Sequence, residues 1–241
     1  MTPLILIPAR LASMRLPGKM LKEINGHPLI VQVALRALEA DIAPVYVSCD
    51  SVEVQKALKS IDVRGGLTDP NLPSGSDRIF KALQEIDPQG EFDTIINVQG
   101  DLPNISPKAI QASLDPLYNK DFDVATLGTL IHRTEDLNNP NIVKIALATQ
   151  QDNRHRALYF SRAPIPMGTG PHYHHIGLYA YRRQALERFV TLPPSPLEQQ
   201  EKLEQLRLLE NNMQIGVSLV EEVPLSIDTQ EDLDKARKIM S

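Results

Sequence analysis

Short apolar runs that recur after stretches of helical periodicity restrict this chain more than any other feature. Residues 4–7 (Leu-Ile-Leu-Ile), 45–49 and 94–98 are too brief for core helices and are bounded by turn-forming residues. A strand apolar on both faces is covered on both faces, which is the habit of parallel strands in α/β proteins. Pro28 opens a segment with Ile30, Val33, Ala34 and Ala37 at helical spacing. Asp50 and Ser51 can cap a helix over 52–60, and residues 76–86 carry a further helical pattern. A short strand is expected at 61–63, and Ser106 with Pro107 starts another helix as cap and first helical residue. Strand and helix alternating in this way argue for βαβ units and an α/β fold with a mostly parallel sheet flanked by helices.

The rhythm changes after about residue 121. Strands are expected at 123–131 and 143–149 without an obvious helix between them, then at 176–181 and 217–220. Helices are expected at 195–209 and 229–240; the latter has Glu231 and Asp232 in its first turn and Lys235, Arg237 and Lys238 later, which matches the helix dipole. No repeat, low-complexity tract or long linker interrupts the chain. It reads as one domain, residues 1–241, with a β-rich insertion near 121–175.

Charge is distributed unevenly. Residues 8–22, PARLASMRLPGKMLK, carry four cations and no acid, which leaves −9 for the remainder of a chain whose net charge is −5. An acidic protein is a poor general binder of nucleic acid, so the basic segment points to a local anion site. It directly follows the first strand, and α/β sheets bind ligands beyond the carboxyl ends of their strands. Arg10, Arg15 and Lys19 can surround a polyanion there, with Gly18 allowing close backbone approach. No Walker loop and no GxGxxG occurs. The apolar fraction of 42% excludes dominant disorder. The lone Cys49 excludes an intramolecular disulfide and points to a reducing compartment. The first apolar run is cut by Pro8 and Arg10, too early for a signal peptide, and no run reaches the roughly 20 residues of a membrane span. A soluble, cytoplasmic protein is expected.

Other polar residues carry two readings each. Asp101, in Gln99–Gly100–Asp101 after the third apolar strand, suits an Mg²⁺ ligand beside phosphates and equally an Asx turn. Asp228 precedes the last helix, and capping is the reading its own residues favour; two acids at one metal is the sharper one. Residues 73–78, PSGSDR, offer helix-start amides and Arg78 to an anion or base edge, or simply a capped helix. His172, His174 and His175 cluster as in a surface loop, and no Cys or carboxylate beside them supports zinc. Arg162, Tyr179 and Tyr181 are candidates for a polar substrate pocket, with Tyr159 and Phe160 as core. No GxSxG supports a serine nucleophile.

The ordered segments IPARLASMRLPGK, SGSDR, NVQGD, YFSRAPIP, HIGLYAY, SPLEQQEKLEQLR and SIDTQEDL resemble those of the 3-deoxy-manno-octulosonate cytidylyltransferases, from residue 4 to about 238. The first and third are shared with other cytidylyltransferases, including those that activate sialic acids. The combination of YFSRAPIP, HIGLYAY and LEQLR is much more specific to the 3-deoxy-D-manno-octulosonate (Kdo) branch. The resemblance implies a Rossmann-like nucleotidyltransferase that, with Mg²⁺, converts CTP and Kdo to CMP-Kdo and pyrophosphate for lipopolysaccharide assembly.

By the same resemblance, Arg10, Ser13, Arg15 and Lys19 hold the triphosphate. Ser74, Arg78 and Gln99 frame the cytidine, and Asp101 and Asp228 ligate Mg²⁺. Arg162, His175, Tyr179, Glu204 and Gln205 line the sugar pocket, with Glu204 and Gln205 inside a helix over 197–210. Arg15, Lys19 and Asp101 are the catalytic set. The partners implied are CTP, an acidic 2-keto sugar and a second copy of the chain, with neither nucleic acid nor membrane. Two segments depart from the family pattern: Leu102 replaces the glutamate of QGDEP, and Leu72–Pro73 replace a His-Gln pair. They leave room for a sialic-type or amino-Kdo substrate. A CTP-binding protein without catalysis is the alternative of a different class.

Overall fold

The computed structural model describes residues 1–150 and 154–240. The first apolar run forms β1 (Pro3–Ala9), with residues 4–7 almost wholly buried. Each such side chain contributes roughly 1.5–3 kcal/mol on leaving water. A small ribbon, β2 (Glu23–Ile24) and β3 (His27–Pro28), leads into α1 (Leu29–Glu39). The chain continues through β4 (Val45–Cys49), α2 (Val52–Leu58), β5 (Arg64–Leu67), α3 (Gly75–Ile86), β6 (Thr94–Asn97) and α4 (Pro107–Ala112). Strands β5, β4, β1 and β6 lie side by side in that order, all parallel. Ser51 caps α2 by accepting from the amides of Glu53 and Val54. The strand expected at 61–63 starts at Arg64 instead, because Lys59–Ile61 turn on as a 3-10 helix and Asp62 adopts a left-handed conformation, φ 53°.

The second half comprises β7 (Val124–Leu130), α5 (Thr134–Asn138), β8 (Lys144–Thr149), β9 (His155–Ser161), β10 (Tyr173–Arg182), α6 (Arg183–Thr191), α7 (Pro196–Glu201), α8 (Leu206–Glu210) and β11 (Ile215–Leu219). A last helix, α9 (Gln230–Ile239), closes the chain. Two compact units result: Met1–Gln111 with Pro224–Ser241, and Ala112–Val223. The β-rich insertion expected near 121–175 falls inside the longer second unit.

The sheet structure is mixed, which corrects the expectation of a mostly parallel one. Among the described residues of the second unit only β11 with β7 is parallel; β10–β7, β10–β8, β11–β9 and β8–β9 are antiparallel. The physical cause is the connections. A parallel crossover needs a dozen or more residues, usually as a helix, and among the described residues between β7 and β10 the only helix is the five-residue α5. The pairings return to their start, since β8 meets β10 again at Ile145↔Tyr173 and Lys144↔His174.

The helix expected across 195–209 is broken. Ser195 and Glu198 form a capping box on α7, and the helix ends where Lys202 turns left-handed, φ 57°. Arg207 Nε then donates to Glu198 at 2.7 Å, folding α8 back beside α7. Glu204 and Gln205 therefore stand in a turn, not mid-helix. Of the leucines expected on one helical face, Leu203 and Leu206 are buried, and Leu197 and Leu209 are half-buried.

Candidate functional site

Parallel strands that end together leave their following loops together, and in the first unit those loops enclose a cleft of about 270 Å³. Arg10, Ser13, Lys19, Ser74, Arg78, Gln99 and Asp101 all line it, as does Leu72. Arg15 does not; its side chain is 67% exposed and pairs with Asp228 at 3.0 Å. Two glycines shape the cleft differently. A side chain at Gly100 would lie 2.6 Å from the Pro8 carbonyl, so the turn at 99–101 packs backbone against backbone. Gly18 has open space around it; its φ of 67° is what requires glycine there.

Lys19 is the electrostatic centre. Its ammonium donates to Asp101 Oδ2 at 2.9 Å, Asp228 Oδ1 at 3.2 Å and the Ile227 carbonyl at 2.9 Å. Burial works to lower its pKa, but the two carboxylates outweigh burial and the net shift is upward. All three ammonium protons are thereby engaged. Asp228 does not cap α9: Thr229 does, in a capping box with Asp232. Nor does Asp101 turn back on its own backbone, since its carboxylate reaches Lys19. The two aspartates, distant in sequence, converge on one cation. Two part-exposed carboxylates suit Mg²⁺, which takes one or two from a protein when phosphates supply further oxygens. Among the described residues no group of three or more His, Cys, Asp or Glu is placed to hold a metal.

At the helix α3 end of the cleft, Ser74 is the N-cap, accepting from the Asp77 amide and donating to Asp77 Oδ2 at 2.7 Å. Its side chain thus does the capping work. Arg78 is only 2% exposed. Its Nη1 donates to Thr68 Oγ1, and its Nη2 faces Asp50 at 3.8 Å without a hydrogen-bond partner. Burial depresses its pKa, Asp50 opposes that, and Arg10 adds to it. Leu102 is buried, its amide closing the turn to the Gln99 carbonyl at 3.4 Å.

In the second unit His175, Tyr179 and Gln205 come together, with Glu204 near enough to Tyr179 to act on its charge. The Thr126 hydroxyl donates to the Leu178 carbonyl at 2.8 Å, so toward His175 Nε2, 3.0 Å away, it accepts. Nδ1 then receives the Gln205 amide at 3.4 Å, which fixes a neutral imidazole protonated on Nε2. Burial holds the His175 pKa down to about 3, with His174 adding to it. Burial, then Tyr181 and Glu204, holds the Tyr179 phenol well above its ordinary value. The β10 register shifts between Ile176 and Tyr179, and the His175 and Tyr179 rings stand 5.5 Å apart.

Arg162 is placed otherwise. Its Nε and Nη1 donate to the Glu201 and Pro140 carbonyls at 3.0 Å, and Nη2 to the Lys202 carbonyl at 3.4 Å. Its guanidinium clamps main chain rather than standing open to a carboxylate. Glu201, which accepts from Ser161 Oγ and the Arg162 amide, and Thr126 have no counterpart among the expected site residues. The run at 124–130 is apolar but for Gly128 and two threonines, Thr126 and Thr129, and nothing in the sequence singles out the former. A larger hollow of about 930 Å³ in this unit, bordered by Asp115, Tyr118 and His155, contains none of the expected residues.

Against known proteins, residues 4–215 match the family model described as cytidylyltransferase. A 3-deoxy-manno-octulosonate cytidylyltransferase of Paramagnetospirillum magneticum is 52% identical over 241 residues, 100% of this chain and 98% of the relative. One from a Bradyrhizobium species is 55% identical over 238 residues, covering 99% and 97%. Among solved structures, CMP:2-keto-3-deoxy-manno-octonic acid synthetase complexed with CTP superposes with a TM-score of 0.91 at 36% identity, covering 100% of this chain and 98% of that one.

Proposed function

The chain belongs to the cytidylyltransferase family, in its 3-deoxy-manno-octulosonate branch, and from that premise we propose that it transfers CMP from CTP to Kdo, releasing pyrophosphate. The observation that carries the reading beyond family membership is the cleft in which Arg10, Lys19, Arg78 and Asp101 meet. In the first unit Arg10, Ser13 and Lys19 serve the triphosphate, and Ser74, Arg78 and Gln99 serve the nucleoside. Arg15, exposed and paired with Asp228, steers the incoming polyanion. In the second unit Tyr179 and Gln205 suit sugar hydroxyls, with Glu204 beside them; the neutral His175, both ring nitrogens engaged by Thr126 and Gln205, orients Gln205, and Arg162 holds the turn that carries Glu204 and Gln205. We read the two units as parts of one Rossmann-like nucleotidyltransferase domain, since the chain leaves the first and returns to it.

Asp101 and Asp228 would hold Mg²⁺, which supplies neutralisation of charge on the phosphates. Lys19 keeps these two carboxylates converged and contributes its own positive charge beside them. The reaction is displacement at the α-phosphorus by the sugar's anomeric hydroxyl, with pyrophosphate leaving in line. Such transfer depends on positioning and electrostatics rather than on a covalent protein intermediate. The reading also carries a homodimer, a role in lipopolysaccharide assembly and a cytoplasmic setting. In its favour, the single cysteine, Cys49, is buried and free, and among the described residues no helix is long and apolar enough to cross a membrane.

The test is pyrophosphate release with CTP, Mg²⁺ and Kdo. Turnover is expected, and its absence from folded, metal-replete protein would overturn the activity. Equal concentrations of Kdo, an amino-Kdo and a sialic acid in competition then identify the sugar.

A further inference from the structure

Arg78 is a buried cation with one nitrogen unpaired, and what holds it is set by strand register. In the parallel pair β4–β5, Cys49 stands opposite Leu67 as the last partners. The residues that follow them, Asp50 and Thr68, emerge at the carboxyl ends of adjacent strands, where α/β sheets place ligand-handling groups. Thr68 donates its hydroxyl to the Cys49 carbonyl at 3.0 Å and accepts from Arg78 Nη1. Asp50 has a side chain only 4% exposed, and its Oδ2 lies 3.8 Å from Arg78 Nη2. Its other oxygen, Oδ1, accepts from the amide of Leu11 at 2.8 Å. Leu11 lies near the start of the basic loop, between Arg10 and Ser13, with Lys19 further along it.

Asp50 has no need to cap α2, because Ser51 does so with both of its amide bonds. A buried carboxylate is costly unless it is hydrogen-bonded and paired, and the partners found are a loop amide and the Arg78 guanidinium. We propose that Asp50 is a positioning residue of the nucleotide cleft, tying the start of the basic loop to Arg78 and keeping the unpaired Nη2 directed to an acceptor on the bound nucleotide. The inference rests on the nucleotide reading of this cleft.

Asp50→Asn separates the two contacts. An amide oxygen still accepts from Leu11, but the charge facing Arg78 is gone. By calorimetry with CTP, the Kd of Asp50→Asn is expected to rise about tenfold, the size of one lost charged contact. KM for CTP should rise with it while KM for the acid sugar stays at the wild-type value. In a double-mutant cycle, Asp50→Asn should add nothing once Arg78→Met is present, because its effect runs through that guanidinium. A wild-type Kd in Asp50→Asn, or losses that simply add, would overturn the proposal. Should Asp50→Asn fail to fold, Thr68→Val removes the other partner of Arg78 and is expected to weaken CTP to a similar degree; wild-type affinity there overturns it equally. Wild-type protein that binds no CTP overturns the nucleotide reading itself, and the inference with it.

Discussion

The two polar clusters solve opposite problems. In the first unit Lys19, Asp101, Asp228 and Arg15 are charged groups that neutralise one another. In the second, Thr126, His175 and Gln205 form a chain of neutral hydrogen bonds in a dry environment. An ion cluster with part-exposed carboxylates can exchange one cation for another at little cost, because water is at hand to compensate. A buried neutral network cannot, since each unmet donor or acceptor carries its full desolvation penalty. The first is suited to a highly charged, exchangeable ligand, and the second to holding fixed donors and acceptors toward hydroxyls.

The comparison breaks most visibly at Lys19. Lys19→Ala leaves Asp101 and Asp228 repelling one another and removes a cation from the cleft. A fall in kcat/KM of roughly 10²–10³-fold is expected, the scale of losing one preorganised electrostatic group. Activity within fivefold of wild type would mean that the ion cluster is structural only.

Arg162 tests the second cluster. As a main-chain clamp, its replacement by Met should destabilise the fold by about 2 kcal/mol, for several lost hydrogen bonds of which two are solvent-exposed. As an open carboxylate receptor it would instead raise KM for the sugar with little change in denaturant midpoint. Unfolding curves and kinetics on one variant separate the two.

The neutral network also has a pH signature. His175 titrates near 3 in the folded protein and close to 6.5 when unfolded. The unfolded state therefore binds more protons between those values, and stability rises with pH across that window. The contribution is complete above about pH 6.5 and declines as pH falls, by at most about 1.4 kcal/mol per unit. Stability against pH in wild type and His175→Gln should differ in slope between pH 4 and 6; parallel curves would show a solvated imidazole. The smallest effect is expected at Arg15, whose pair with Asp228 is largely exposed. Arg15→Ala should weaken CTP by less than about 1 kcal/mol and mainly at low salt.

How far each cluster was legible follows from whether its cause is local. The strands β1, β4 and β6 announce themselves because burial on both faces leaves a continuous apolar run. The loops after them then fall together by topology, which is why Arg10, Lys19, Ser74, Arg78, Gln99 and Asp101 share one cleft. Asp228 reads locally as a cap, and only the fold shows its neighbour Thr229 taking that place. In the second unit β9 and α6 have no counterpart among the expected elements: β9 does not alternate cleanly, although α6 does carry a helical apolar face in Ala185, Leu186 and Phe189. The break at Lys202 is a left-handed turn without a glycine, and lysine carries no local signal for it. The placement of Arg162 depends on carbonyls 22 to 40 residues away, and no spacing rule encodes that.

The first unit is built from residues 1–111 and 224–241, and this order has a consequence for synthesis. Three of the four members of the ion cluster are synthesised before the second unit, Ala112–Val223, but Asp228 is synthesised only after it. A nascent or prematurely stopped chain can therefore form the parallel strands and the basic loop while Lys19 lacks its second carboxylate. The ion cluster gains its second carboxylate only after the whole second unit has been made, so shorter products hold Lys19 and Asp101 without the partner that completes them.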